Sequence, residues 1–170
     1  MNKQEDKEMY IETKNIVIRD FMESDIIAAH NYLQDNEVMK YVEPPFSIEQ
    51  TKEFILEYGC KKSMVFALEE ISSASVIGHA IFHPYDEVDE YEIGWIISRS
   101  CWGKGYAVEV SQALIQYAFY EKKASRVIAE TVVNNRGALA VINRLGMVEN
   151  EQRSGTIIKL FELNKPGFKN

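Results

Sequence analysis

Trp102-Gly103-Lys104-Gly105-Tyr106-Ala107 separates a strand-like run, Tyr91 to Ser98, from a helix-like run that extends from Tyr106 to about Tyr120. Two glycines two positions apart let backbone approach a ligand where a Cβ would collide. The first N–H groups of the helix have no intrahelical partners and lie at the positive end of its dipole. Strand, glycine loop and helix in that order make a cradle for an anion such as a pyrophosphate, with the amides of Gly103, Lys104, Gly105, Tyr106, Ala107 and Val108 as donors. A tight strand-to-helix turn has the same pattern, and the rest of the chain decides between the two.

Upstream of the loop, Met64–Glu70, Val76–His83 and Asp89–Ser98 are rich in Val, Ile, Phe and Tyr and are separated by turn residues, as in antiparallel hairpins. Ile16-Val17-Ile18-Arg19 reads as a first strand. Glu23-Ser24-Asp25 starts a helix to about Gln34 with Ile26, Ala29 and Leu33 on one face. After a break at Pro44-Pro45, the capping box Ser47-Ile48-Glu49-Gln50 opens a second helix towards Tyr58. Downstream, Arg126–Val133 is reached through a helix and is expected parallel to Asp89–Ser98. Asn134-Asn135 caps a short helix that runs through Leu145 and ends at Gly146. Thr156–Leu163 closes the chain, hairpin-paired with a strand near Met147–Gln152. Residues 1–10 read as an N-terminal tail and 11–170 as a single domain. The fold class is α+β: a mixed, mostly antiparallel sheet of about seven strands with one parallel pair, flanked by about four helices.

At 170 residues and 46% hydrophobic, the chain is long enough to bury a core. A formal net charge of −7 argues against a broad nucleic-acid surface; it suits a solvated acidic surface and, more weakly, a cationic partner. The polar start, Met1 to Glu8, has no apolar run behind it, and no stretch is long and apolar enough to span a bilayer, so a cytoplasmic protein without membrane contact is expected. Two distant cysteines, Cys60 and Cys101, make neither a disulfide scaffold nor a zinc site. His79 and His83 share a strand face but lack a third ligand, so no metal is expected. Cys101, beside the glycine loop, has no sequence partner that would activate it and reads as a passive thiol.

Four stretches, in order, resemble the GNAT acetyltransferases. They are Ile11 to Arg19, Glu92-Ile93-Gly94-Trp95, Trp102 to Glu109, and Asn135 through Leu145-Gly146-Met147. The branch they look like is that of the ribosomal-protein-alanine N-acetyltransferases (RimJ/RimL-like). The resemblance implies a GNAT fold whose parallel strands are splayed by a bulge, and acetyl-CoA as cosubstrate with no metal. The family's acyl-CoA loop, Gln/Arg-x-x-Gly-x-Gly/Ala, maps onto Trp102-x-x-Gly105-x-Ala107, with Trp in place of the polar first residue. Ile97 and Ser98 would offer backbone to the pantetheine arm in the manner of an added strand. Asn135 stands at a CoA-contacting position, where it also suits a helix N-cap. Ala138 stands where many members have Ser.

The implied chemistry is attack of a neutral amine on a thioester. An α-amine, with a pKa of about 7.7–8.0, is more readily deprotonated than a lysine at about 10.4. Glu92 matches the family's catalytic Glu, and Glu90, on the same strand face, is the reserve base. A backbone N–H near Trp95 to Ile97 would hold the thioester oxygen. The family's general-acid Tyr is replaced by Ile142; a thiol with a pKa of about 8.5 leaves without much help. The expected function is N-acetylation of a primary amine by direct transfer, with a peptide or protein N terminus ahead of a small amine or polyamine, by a monomer or homodimer. A catalytically inactive acyl-CoA sensor is the alternative. A dinucleotide-binding reading is weaker, because Val108 occupies the third glycine position of Gly-x-Gly-x-x-Gly.

Overall fold

Eight strands form one sheet in the computed structural model, which describes residues 8–166. In chain order they are β1 (Tyr10–Glu12), β2 (Ile16–Arg19), β3 (Val65–Glu70), β4 (Ser75–Pro84), β5 (Glu90–Ile97), β6 (Arg126–Val132), β7 (Val148–Glu149) and β8 (Ile158–Asn164). Their spatial order is β1-β2-β3-β4-β5-β6-β8-β7. Every neighbouring pair is antiparallel except β5 and β6, which run parallel, as the helical crossover between them requires. The eighth strand is β1, at the sheet edge and too short to register as a periodic pattern. Met9 is buried at 6% exposure and Tyr10 opens β1, so order begins within the expected tail; residues 1–7 lie outside the described residues.

The helices divide between the two faces of the sheet. On one face lie α1 (Ile26–Leu33), the short α2 (Asn36–Met39) and α3 (Ile48–Phe54), the last continued by wider turns to Lys61. Ser47 and Gln50 cap α3 reciprocally, as the capping box predicts. The apolar residues Ala29, Tyr32, Leu33 and Ile55 pack against Val65, Ala67, Val76, Ile81 and Ile96. On the other face α4 (Tyr106–Gln116), prolonged to Glu121, lays Val110, Leu114 and Ala118 over Phe66, Leu68, Ala80, Ile93 and Val127. There α5 (Arg136–Arg144) adds Ile142 to the same core. Glu109 ties α4 to the β1–β2 turn, accepting from the Thr13 hydroxyl (2.6 Å), the Asn15 amide (2.7 Å) and the Asn15 side chain (2.8 Å).

Two features of the central strands shape the site. Register along β3 and β4 slips between Leu68–Gly78 and Glu69–Val76, which leaves Ile77 as an extra residue on β4. The irregularity thus lies on β4, where the next residue, Gly78, sits against the end of β5. A Cβ on Gly78 would collide with the Ile96 carbonyl, so only glycine lets the strands close at this point. The second feature is that β5 and β6 pair only at Glu90–Arg126, Tyr91–Val127 and Glu92–Ile128. Beyond Glu92 the strands part, and β5 continues to Ile97 and β6 to Val132 with a gap between them.

Candidate active site

The glycine loop delivers α4 to the C-terminal end of the gap. Gly103 and Gly105 hold φ of +76° and +83°, in the left-handed region that L side chains rarely adopt. A Cβ at either would meet no protein atom within 4 Å, so the requirement comes from the dihedral angles and the space before the loop stays open. Gly105 is the N-cap of α4, and no side chain caps it. The leading amides of the helix therefore face that space at the positive end of the dipole, which fits the pyrophosphate of a CoA thioester.

Two side chains of this stretch, Lys104 and Tyr106, converge on Glu70. Tyr106 donates its hydroxyl to Glu70 at the end of β3 (2.7 Å), and Lys104 reaches the same oxygen at 3.1 Å. Ser73 donates to the second oxygen (2.8 Å). The hydrogen bonds from Tyr106, Ser73 and Lys104 hold the Glu70 carboxyl down at about 2, against an ordinary 4.5. Glu70 thus anchors the cradle. Sequence reading missed it, because nothing in Glu69-Glu70 tells which carboxylate faces the loop. Trp102, half-exposed at 51%, donates its indole N–H to the Ile97 carbonyl (2.8 Å) and so ties the loop to the end of β5.

The inner edge of β5 is set by alternation. Ser98 gives its N–H to Ile77 on the β4 side (2.7 Å), so the Ile97 N–H and carbonyl face the gap. Of the two residues expected to offer backbone there, Ser98 has its N–H engaged with β4. Ile97 has its N–H turned inward and its carbonyl shared with Trp102. Asn135 caps α5, accepting from the Ala138 amide (3.1 Å), and thereby occupies one of that helix's leading donors. Ile142 is 1% exposed and packs in the core, so the position of the family's Tyr is filled by an apolar side chain that can donate no proton. Cys101 is 4% exposed in the same core, with Lys104 Nζ at 3.9 Å from its sulfur.

Glu90, Glu92 and Glu130 share the opposite face of the parted strands, by alternation along β5 and β6. Glu90 is 2% exposed and clamped: Arg153 meets both its oxygens (2.8 and 3.0 Å) and Arg126 meets one (2.9 Å). Burial disfavours its charge, yet the two guanidinium groups outweigh burial and hold the carboxyl below its usual range. Glu92, at the last paired rung, meets only His83 Nε2, at 3.2 Å, among the described ion pairs. Its hydrogen bond raises the His83 pKa above 6.5. Tyr85, in the β4–β5 loop, donates to Glu130 across the gap while the Arg153 guanidinium stacks over its ring at 5.5 Å. Burial, reinforced by Glu130, pushes the Tyr85 hydroxyl above its usual range.

His79, also on this face, is 3% exposed and takes Nδ1 to the Tyr32 hydroxyl (3.0 Å); burial lowers its pKa to about 3. Among the described residues no group of three His, Cys, Asp or Glu could hold a metal, and no helix is long and apolar enough to cross a membrane. Past the end of β6 a groove of about 560 Å³ opens, lined mainly by Met39, Tyr41, Val42, Pro44, Val132 and Ile157.

Known proteins carry the same architecture. A family model for the acetyltransferase (GNAT) domain matches residues 15–148. The uncharacterized N-acetyltransferase YnaD of Bacillus subtilis (strain 168) is 34% identical over 140 residues, 82% of each chain. The solved GNAT-family acetyltransferase from Bacillus anthracis superposes with a TM-score of 0.84 at 30% identity, covering 92% of this chain and 98% of that one. The spermidine N-acetyltransferase from Vibrio cholerae, solved in complex with CoA and spermine, shares the fold at a TM-score of 0.74 and 18% identity, with 88% and 95% coverage. A parted parallel pair, an uncapped helix behind a glycine loop, and a family match across most of the sheet agree, and this chain belongs to the GNAT acetyltransferases.

Proposed function

We propose that the chain acetylates the α-amine of a peptide or protein N terminus, by direct transfer from acetyl-CoA, with Glu92 as the base. The observation that carries the reading is the coincidence of three things at one rung. The gap begins at Glu92–Ile128, Glu92 is the carboxylate left without an arginine there, and the strand edges beyond it lead to the open groove. Acetyl-CoA supplies an activated acyl carbon and a thiolate leaving group. The amides from Gly103 to Val108 hold its pyrophosphate, and the Ile97 N–H pairs with the pantetheine arm. The inward N–H of Trp95 takes the carbonyl oxygen. Glu92 removes the proton from the attacking amine. Cys101 is buried in the core and takes no part in an acyl relay.

The groove favours a peptide. Its lining is largely apolar, with one acid, Glu43, and one base, Lys40, so it lacks the excess of carboxylates that a polycation requires. Val132 lies four residues beyond Ile128, about 13 Å along a strand, a distance that an extended N terminus of about four residues spans. A polyamine is the second reading, favoured by Glu130 in the gap and by the net charge of −7. The test is CoA release from acetyl-CoA against peptides with varied first residues and against spermidine. We expect peptides with a free α-amine to give the highest kcat/KM. Turnover confined to spermidine transfers the assignment to the polyamine.

A further inference from the structure

His83 and Glu92 stand opposite each other on β4 and β5, and the surroundings of the imidazole fix where its protons lie. Nδ1 is 2.8 Å from the Pro84 carbonyl oxygen. A carbonyl only accepts, so Nδ1 keeps its proton in both the neutral and the charged ring. Nε2 faces Glu92 Oε2 at 3.2 Å. In the neutral ring Nε2 bears a lone pair aimed at a carboxylate oxygen, and the contact becomes attractive when a proton enters between them. The pair therefore has one proton site to fill or empty, at the rung where the gap begins.

We infer that His83 is a positioning residue for the transfer, accepting at Nε2 the proton that Glu92 receives from the acceptor amine. The inference rests on the reading of Glu92 as base. The lone pair of the neutral amine forms the C–N bond to the acetyl carbon, and the C–S bond breaks with its electron pair going to sulfur. The amine proton passes to Glu92 and on to Nε2. The imidazolium returns it to the thiolate or to water, and the neutral pair is restored.

Among the described residues Tyr85 is the further titratable group that feels the charge of Glu92, which helps to keep its hydroxyl protonated. Tyr85 is committed to Glu130 on β6, and Arg153 to Glu90 on β5. On α1 and α3, His30 bonds Thr51, and Tyr32 bonds His79. Beyond α3, Lys61 and Lys62 pair with Glu57. The raised pKa of His83 is caused first by Glu92 and is opposed by burial. Below that pKa the proton site is filled and turnover falls; above it the site is empty and turnover is full.

The test combines nitrogen NMR of the imidazole with pH–rate profiles. In the wild-type protein, the neutral ring should carry its proton on Nδ1, and the pKa should lie above 6.5 and fall in E92Q. H83Q, whose amide bonds Glu92 without taking a proton, should lower kcat on the order of 10-fold, less than the loss expected of the base itself. Its acid limb should shift while acetyl-CoA affinity by calorimetry is unchanged. A neutral ring protonated on Nε2, or an H83Q profile superimposable on wild type, overturns the inference. If H83Q fails to fold, the tautomer and the response to E92Q decide. Loss of turnover in E92Q beside a wild-type profile in H83Q sinks this inference alone; full turnover in E92Q sinks the reading of Glu92 as base.

Discussion

Glu90 and Glu92 are two residues apart on one face of β5, and their surroundings are opposite in kind. Glu90 lies within the paired part of β5 and β6, almost without solvent, between two arginines that keep it ionised. Glu92 lies where pairing ends, half-buried, with His83 as its partner among the described ion pairs. The same side chain is a clamp in the first setting and, in the function we propose, a proton acceptor in the second. The difference arises from the elements that reach each position. Arg126 opens β6 and Arg153 comes from the turn before β8, so both converge on Glu90, while β4 brings an imidazole to Glu92. A base needs a proton affinity near working pH, and a carboxylate clamped by two guanidinium groups lacks it.

Separating the two roles by mutation should give the largest effect at Glu92. Glu92→Gln is expected to lower turnover by about 10²–10⁴-fold on a productive acceptor. The deficit should shrink as pH rises and solvent deprotonates the amine, and urea unfolding should move by less than about 0.5 kcal/mol. Glu90→Gln should reverse the pattern. It leaves two guanidinium groups without their carboxylate and is expected to cost about 2 kcal/mol in urea unfolding, below the ~3–5 kcal/mol of a fully buried pair because both arginines keep some hydration. Equal stability of the two variants would break the contrast. The smallest effect lies in the cradle: Gly105→Ala forces an L residue to φ +83°, at about 1–2 kcal/mol. Acetyl-CoA affinity, measured by calorimetry, should fall with it, and unchanged affinity would remove the loop from the binding site.

Periodicity and turn chemistry made most of the fold legible. Hairpins from Met64 to Ser98, the capping box at Ser47 and the parallel return at Arg126 all leave local marks. What escaped was non-local or short: β1 has three residues and α2 has four, too few for a period to show. The site divides along the same line. Gly103 and Gly105 are readable because a backbone requirement selects glycine, whereas Glu70 becomes an anchor only when β3 brings it beneath a loop 34 residues away. Trp102 reads as a departure from the family's loop and proves to bond the end of β5. His79 and His83 read alike in sequence, four apart on one face. Depth separates them, since one is sealed with Tyr32 and the other stands at the mouth of the gap.

The eight strands fall into two blocks, β1 to β5 and β6-β8-β7, whose backbone ladders join across three residue pairs. An arm laid between the open edges of β5 and β6 would complete the ladder, so the cosubstrate would serve as a structural member as well as a reactant. Ligand at about 100 times its Kd adds roughly 2.7 kcal/mol to the stability of the form that binds it. Survival of the folded chain against unfolding and proteolysis would then track the supply of acetyl-CoA, and a lapse in that supply would loosen the protein as well as idle it.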